Sequence, residues 1–187
     1  MSDRAFGGAD TLATSYTLYH GLKKIETAKG KPFDLVLCGS ESADGATAQV
    51  SSQLGEWLGY PHLWNVCSLS ETGPGTFSIK TKLENGFMEW KATMPLVLAA
   101  ARDLNKPRFT SMMGIMKAKN KPLTAWDRGN LPAADDDFLG LKGSPTQPGK
   151  IFTPDLKRAG EVLNGTPEEI AGRIVEILRA HGAALGA

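Results

Sequence analysis

Cysteine is scarce. The 187 residues hold two, Cys38 and Cys67, with no Cys-x-x-Cys pair, so neither a disulfide framework nor a cysteine metal site has a basis. Both lie in apolar stretches that read as strands, where a reducing compartment leaves them as buried thiols. The three histidines, His20, His62 and His181, share no ligand spacing, which argues against a metal centre. Excess charge is also lacking: 21 Lys and Arg face 20 Asp and Glu, a net charge of +1. Such a balance gives no bulk attraction to nucleic acid or to an anionic membrane. No apolar run approaches the ~20 residues that span a bilayer. The opening Met1-Ser-Asp-Arg-Ala-Phe-Gly-Gly has neither the basic nor the apolar region of a signal peptide, so a cytoplasmic protein without membrane insertion is expected. Neither a Gly-x-Ser-x-Gly elbow nor a Walker phosphate loop occurs. What remains is ordinary: 41% hydrophobic and 22% charged residues, enough for one globular domain with an extension.

Periodicity then places the elements. Residues 9–25 read as a helix, with Leu12, Tyr16 and Tyr19 in one apolar row and Leu18, Leu22 and Ile25 in the next. Asp10 or Thr11 can cap it after the permissive Gly7-Gly8 pair. Residues 33–39 form an almost wholly apolar run, the pattern of a strand buried on both faces. A loop of small and acidic residues follows, 40–45, and then a helix over 47–58 stopped by Gly59-Tyr60-Pro61. Residues 63–69 read as the next strand. This alternation predicts an α/β domain with a parallel sheet. Residues 76–82 and 87–92 flank Asn85-Gly86, a strong hairpin signal, and read as an insertion ahead of an apolar strand at 96–101. From Asn105 prolines break the chain into an extended arm, until Thr166-Pro167-Glu168-Glu169 opens a terminal helix.

Three stretches could carry function. The turn after the first strand and the helix start Ala46-Thr47-Ala48-Gln49 aim free N–H groups at one point, an arrangement that suits a phosphate. Every βαβ crossover has such a turn, so a purely structural role stays open. Residues 108–116 hold Met112, Met113 and Met116 beside Phe109 and Ile115, with Lys117, Lys119 and Lys121 following. Exposed, they make a flexible apolar contact surface edged by positive charge; buried, they are core, and periodicity does not separate the two. Asp135-Asp136-Asp137 could chelate a cation, but an acidic run in a loop bounded by proline and glycine is more often solvated.

Taken together, four motifs in order resemble the β subunit of electron-transfer flavoproteins. Ser2-Asp-Arg-Ala-Phe-Gly-Gly-Ala-Asp-Thr resembles the segment opening an interior helix of that family. Asp44-Gly-Ala-Thr-Ala-Gln-Val resembles its adenine-nucleotide loop, in a form nearer the electron-bifurcating type than the mitochondrial one. Pro107-Arg with Gly114-Ile-Met-Lys-Ala-Lys-Asn-Lys-Pro resembles its partner-recognition loop. Gly140-Leu-Lys-Gly-Ser-Pro-Thr-Gln resembles the arm reaching the α subunit.

The resemblance implies the fold of adenine-nucleotide α-hydrolases and an electron carrier rather than an enzyme. It would pair with a larger α subunit and share its FAD, taking electrons from dehydrogenases to a quinone-side or ferredoxin-side acceptor. AMP or a second FAD would occupy the β domain itself. By motif match Asp44, Gly45, Ala46, Thr47, Ala48, Gln49, Val50 and Ser51 would cradle the nucleotide, with Asp10 and Thr11 near. Met112, Gly114, Ile115, Met116 and Lys117 would meet partners, with Met112 the exposed anchor. The expected organisation is an α/β nucleotide-binding domain over 1–125, an arm touching the α subunit over 126–165, and a terminal helix over 166–187.

Departures from the family pattern bear on the site. Ala46 stands where many relatives carry an acid, Ser51-Ser52 replace Gly-Pro, and Ser40-Glu41 replace a basic residue and glutamine. The family's first strands fall before Met1, so the resemblance implies a truncated subunit with half a nucleotide site and an unpaired strand edge. Two other readings follow: an adenine-nucleotide sensor without redox work, or a docking subunit that holds no nucleotide.

Overall fold

The computed structural model describes residues 1–43, 45–147, 149–150, 152 and 160–182. The chain divides into two compact units, Met1–Pro148 and Gly149–Ala187.

The first unit opens with a 3-10 turn, Arg4–Phe6, and then α1, Thr11–Lys29. Asp10 caps α1, its Oδ1 accepting from the N–H groups of Leu12 (2.9 Å) and Ala13 (3.0 Å). The helix outruns the expected end by four residues, because nothing between Glu26 and Lys29 stops it until Gly30 adopts the left-handed conformation. Next come β1 (Leu35–Gly39), α2 (Val50–Leu58), β2 (His62–Gly73), β3 (Thr76–Leu83), β4 (Gly86–Thr93) and β5 (Leu96–Ala100).

One five-stranded sheet holds all the strands in the order β1-β5-β2-β3-β4. β5 runs parallel to β1 and to β2, whereas β2-β3-β4 are antiparallel. The hairpin predicted as an insertion therefore extends the same sheet. β2 makes this possible by running to Gly73, four residues beyond its expected end, with register breaks after Val66 and Glu71. Asn65 has φ +57 within β2, and its Nδ2 donates to the Lys82 carbonyl at 2.9 Å, holding the kink.

Sheet order corrects one expectation. β1, read as buried on both faces, is an edge strand; its outer edge has no strand partner among the described residues, and Leu37 is 59% exposed. β5 is the strand enclosed on both faces, with Leu96, Val97, Leu98 and Ala99 all at most 1% exposed. A continuous apolar run signals two-sided burial only when both faces of the strand are covered, and what packs on each face is not local information. Val66, Phe77, Ile79, Leu96 and Leu98 form the main core, joined by Leu35 and Leu63.

A smaller core lies under residues 126–144. Leu131, Ala134 and Leu139 pack on Tyr16 of α1, with Phe6 and Trp57 beside them. Asp135 donates its N–H to the Tyr16 hydroxyl (3.0 Å), and Arg128 donates to the carbonyls of Leu131 and Ala134, each at 2.7 Å. Before this segment a short helix, α3, spans Met112–Ala118 where no element was expected.

In the second unit α4, Pro167–Ala180, starts at a capping box in which Thr166 and Glu169 bond each other's backbone. No helix among the described residues is long and apolar enough to cross a membrane.

Candidate functional site

The carboxyl end of β1 and the start of α2 face one side of α1 across a cleft of about 480 Å³. That size falls in the range of small-molecule sites, roughly 300–1,000 Å³. Its location, beyond the carboxyl end of a parallel strand, is where open α/β sheets place ligands. Leu18, Leu22, Val36 and Leu54 give it apolar walls, and Thr14, Ser40, Ser42, Thr47, Gln49 and Ser51 add hydroxyl and amide groups.

The loop between β1 and α2 is shaped by three features. Ser40 Oγ donates to the Ala100 carbonyl (2.8 Å), tying the loop to the end of β5. Gly45 and Ser42 form an isolated bridge, with the Gly45 N–H on the Ser42 carbonyl at 3.3 Å. Ala48 sits at φ +55, a left-handed conformation that costs a non-glycine residue on the order of 1 kcal/mol. Such strain persists only where neighbours impose it, and Gln49 is fastened by accepting the Thr11 hydroxyl at 3.0 Å.

Gln49 precedes α2 without a side-chain cap bond, so its own side chain does not compete for the first-turn N–H groups. These groups and the positive end of the dipole are what an anion meets there. Among the described residues no lysine or arginine lines the cleft, and Glu41 is part of its lining. Cys38 is in the wall; burial pushes its thiol up, which disfavours the reactive thiolate.

Of the sequence-predicted residues, Gly45, Thr47, Ala48, Gln49, Val50 and Ser51 line this cleft, whereas Ala46 does not. Asp44 lies outside the described residues. Asp10 and Thr11 do not line it; they stand behind it, in the first turn of α1. Thr11 accepts from Gln53 Nε2 (3.3 Å) while donating to Gln49. Both Asp10 carboxylate oxygens are spent inside the protein, because Oδ2 accepts the Thr146 N–H at 3.0 Å. Partial burial works to raise the Asp10 carboxyl, but the N–H groups of Thr146, Ala13 and Leu12 outweigh it and hold it below its ordinary value.

Sequence reasoning missed Thr14 as a cleft residue, although Thr14, Leu18 and Leu22 share one helical row. The signal was there, but an apolar row reads as core until the sheet shows what faces it.

The methionine segment is exposed. Met112 is 77% accessible, and Met113, Ile115 and Met116 are exposed with it, as is the whole of Phe109. Ser111 caps α3 by accepting the Gly114 N–H (3.1 Å). Lys106, Arg108, Lys117, Lys119 and Lys121 are exposed around these residues, with no acid between Asp103 and Asp127. The structure thus decides for exposure where periodicity was silent. Residues 140–147 lie on the first turn of α1, described below.

A family model described as Electron transfer flavoprotein domain matches residues 1–130. The chain is 39% identical over 184 residues to the electron transfer flavoprotein subunit beta of Megasphaera elsdenii, covering 96% of this chain and 67% of that protein. It is 38% identical over 180 residues to the caffeyl-CoA reductase-Etf complex subunit CarD of Acetobacterium woodii, covering 96% and 66%. Protein FixA of Azotobacter vinelandii is 33% identical over 156 residues, covering 82% of this chain and 55% of that protein. The chain thus spans about two thirds of the length of the first of these relatives.

Proposed function

The chain belongs to the electron transfer flavoprotein family as a β-type subunit, and we propose from that premise that it is half of a cytoplasmic heterodimer passing electrons from dehydrogenases to a quinone-side or ferredoxin-side acceptor. Its larger partner would be an α-type subunit holding FAD, and its own cleft would take AMP or a second FAD. Members of this family are electron carriers rather than catalysts, so no residue here is assigned as acid, base or nucleophile.

The observation that carries the reading is the cleft of about 480 Å³ bounded by the loop that the family motif marks. Its chemistry fits an adenine nucleotide. Leu18, Leu22, Val36 and Leu54 suit a flat ring, and the uncapped first turn of α2 with Thr47, Gln49 and Ser51 suits a phosphate. When bound, a flavin supplies one- and two-electron redox chemistry. The chain's own residues would bind the nucleotide, keep water from its ring and present a docking surface. That surface is α3, where Met112, Ile115 and Met116 offer adaptable apolar contact. Gly114 and Lys117 belong to the same short helix.

One observation favours a second reading. Among the described residues the cleft has no cationic side chain and carries Glu41, which lowers affinity for a phosphate and suits a docking subunit that binds α without a nucleotide. Purifying the complex with its α-like partner and counting flavin and AMP separates these. Two FAD per heterodimer support a bifurcating-type carrier, and one FAD with one AMP a simple carrier. One FAD with nothing else supports the docking subunit, and a complex without flavin refutes the proposal.

A further inference from the structure

The start of α1 is bonded on one side to the cleft loop and on the other to Ser144 and Thr146, which lie 134 and 136 positions from Asp10. On the loop side, Thr11 donates to Gln49 Oε1 at 3.0 Å, beside the left-handed Ala48. On the other side, the Asp10 N–H donates to Ser144 Oγ (2.8 Å) and Asp10 Oδ2 accepts the Thr146 N–H (3.0 Å). Ser144 is 4% exposed, and its hydroxyl in turn donates to the Gly140 carbonyl (2.6 Å). The Leu141 N–H adds a bond to the Gly7 carbonyl at 3.1 Å. Gly140, at φ +52, leaves no room for a Cβ against the carbonyls of Ala5 and Gly7.

We propose that Asp10 and Ser144 form a latch through which filling of the cleft and seating of residues 140–146 favour each other. This rests on the nucleotide reading of the cleft given above. Both ends of the latch close on consecutive residues of one helix turn, Asp10 and Thr11, so the backbone between them cannot shift at one end without straining the other. Thr11 fastens Gln49, next to the left-handed Ala48, and Ser144 and Thr146 fasten Asp10. Ser144 and Asp10 are positioning residues: neither lines the cleft. The latch makes the seating of residues 140–146 a determinant of nucleotide affinity. Coupling of this kind is reciprocal, so one factor governs both directions.

The test uses the purified α/β complex with AMP as probe and FAD as the alternative occupant. Amide hydrogen exchange at Leu141 and Thr146 is followed with and without nucleotide, and affinity is measured for wild type, S144A, S144T and T11V. Nucleotide is expected to slow exchange at both amides by about tenfold, within the usual range of such couplings. S144A is expected to weaken binding by several-fold up to that factor, S144T to restore it, and T11V to abolish the effect of nucleotide on the Thr146 amide. Wild-type complex that binds nucleotide with unchanged exchange at Leu141 and Thr146 overturns the latch and leaves the cleft reading standing. Binding of neither AMP nor FAD overturns both. The wild-type comparison alone decides the matter should S144A fail to fold.

Discussion

Three glycines separate the backbone and packing costs that fasten residues 140–144 to the domain. Gly30 ends α1 at φ +71 with nothing within 4 Å of where a Cβ would stand, so Gly30→Ala meets only the left-handed penalty. That penalty is about 1–2 kcal/mol, partly offset by the lower unfolded-state entropy of alanine, leaving roughly 1 kcal/mol. Gly143 has no left-handed φ, but a Cβ there would overlap the backbone of Phe138 and come within 2.6 Å of the Leu139 nitrogen. Gly143→Ala thus meets only the overpacking cost, about 1–3 kcal/mol. At Gly140 the two combine, φ +52 with a Cβ overlapping the Ala5 carbonyl oxygen and 2.9 Å from that of Gly7. The sum is about 2–4 kcal/mol for Gly140→Ala, which in a domain of this size lowers Tm by roughly 4–16 °C. Urea and thermal unfolding of the three variants give the ranking. Hydrogen exchange adds a local reading, because the Leu141 amide bonded to Gly7 should lose protection in Gly140→Ala and keep it in Gly30→Ala. A Gly140→Ala variant no less stable than Gly30→Ala would refute the packing of this segment on residues 5–7.

Other perturbations probe the core, the docking surface and the carboxylates. Leu98→Ala removes a side chain that is 1% exposed in the main core and should cost about 2–5 kcal/mol in urea unfolding. Met112→Glu, at a position 77% exposed, should leave stability within about 0.5 kcal/mol. The same change should slow electron delivery from a donor dehydrogenase, read by stopped-flow flavin reduction; an unaltered rate argues against α3 as the docking surface. Asp10 and Glu26 both titrate below their ordinary values: for each, burial opposes the shift, overcome at Asp10 by backbone N–H groups and at Glu26 by Lys23 and the Phe33 N–H. Depressed carboxyls stabilise the fold fully above their unfolded values near 4 and lose that contribution as pH falls through the lower folded values. Melting from pH 7 to pH 3 should therefore show a steep acid limb, shallower in Asp10→Asn; identical limbs would show that the bonds of Asp10 are not formed as described.

Local chemistry sufficed for much of this protein. The capped helix after Gly7-Gly8, the Asn85-Gly86 hairpin and the Thr166 capping box are each written in residues that touch one another along the chain. The cleft loop is only partly of this kind: residues 45–51 adjoin one another, but Thr11 fastens Gln49 and the Ala100 carbonyl fastens Ser40 from far along the chain. Other features depend on which distant surface arrives. Apolar runs 35–38 and 96–99 look alike, yet β5 is enclosed and β1 is an edge, because strand order decides how many flanks are covered. Met112 could be core or surface until the fold left nothing over it. Asp10 reads from the sequence as a cap and a ligand neighbour; that its second oxygen meets an N–H 136 residues downstream is supplied by the fold alone. Periodicity reports what one face of an element prefers; only tertiary structure supplies the group that satisfies it, and unpaired polar groups and covered apolar faces are settled by that partner.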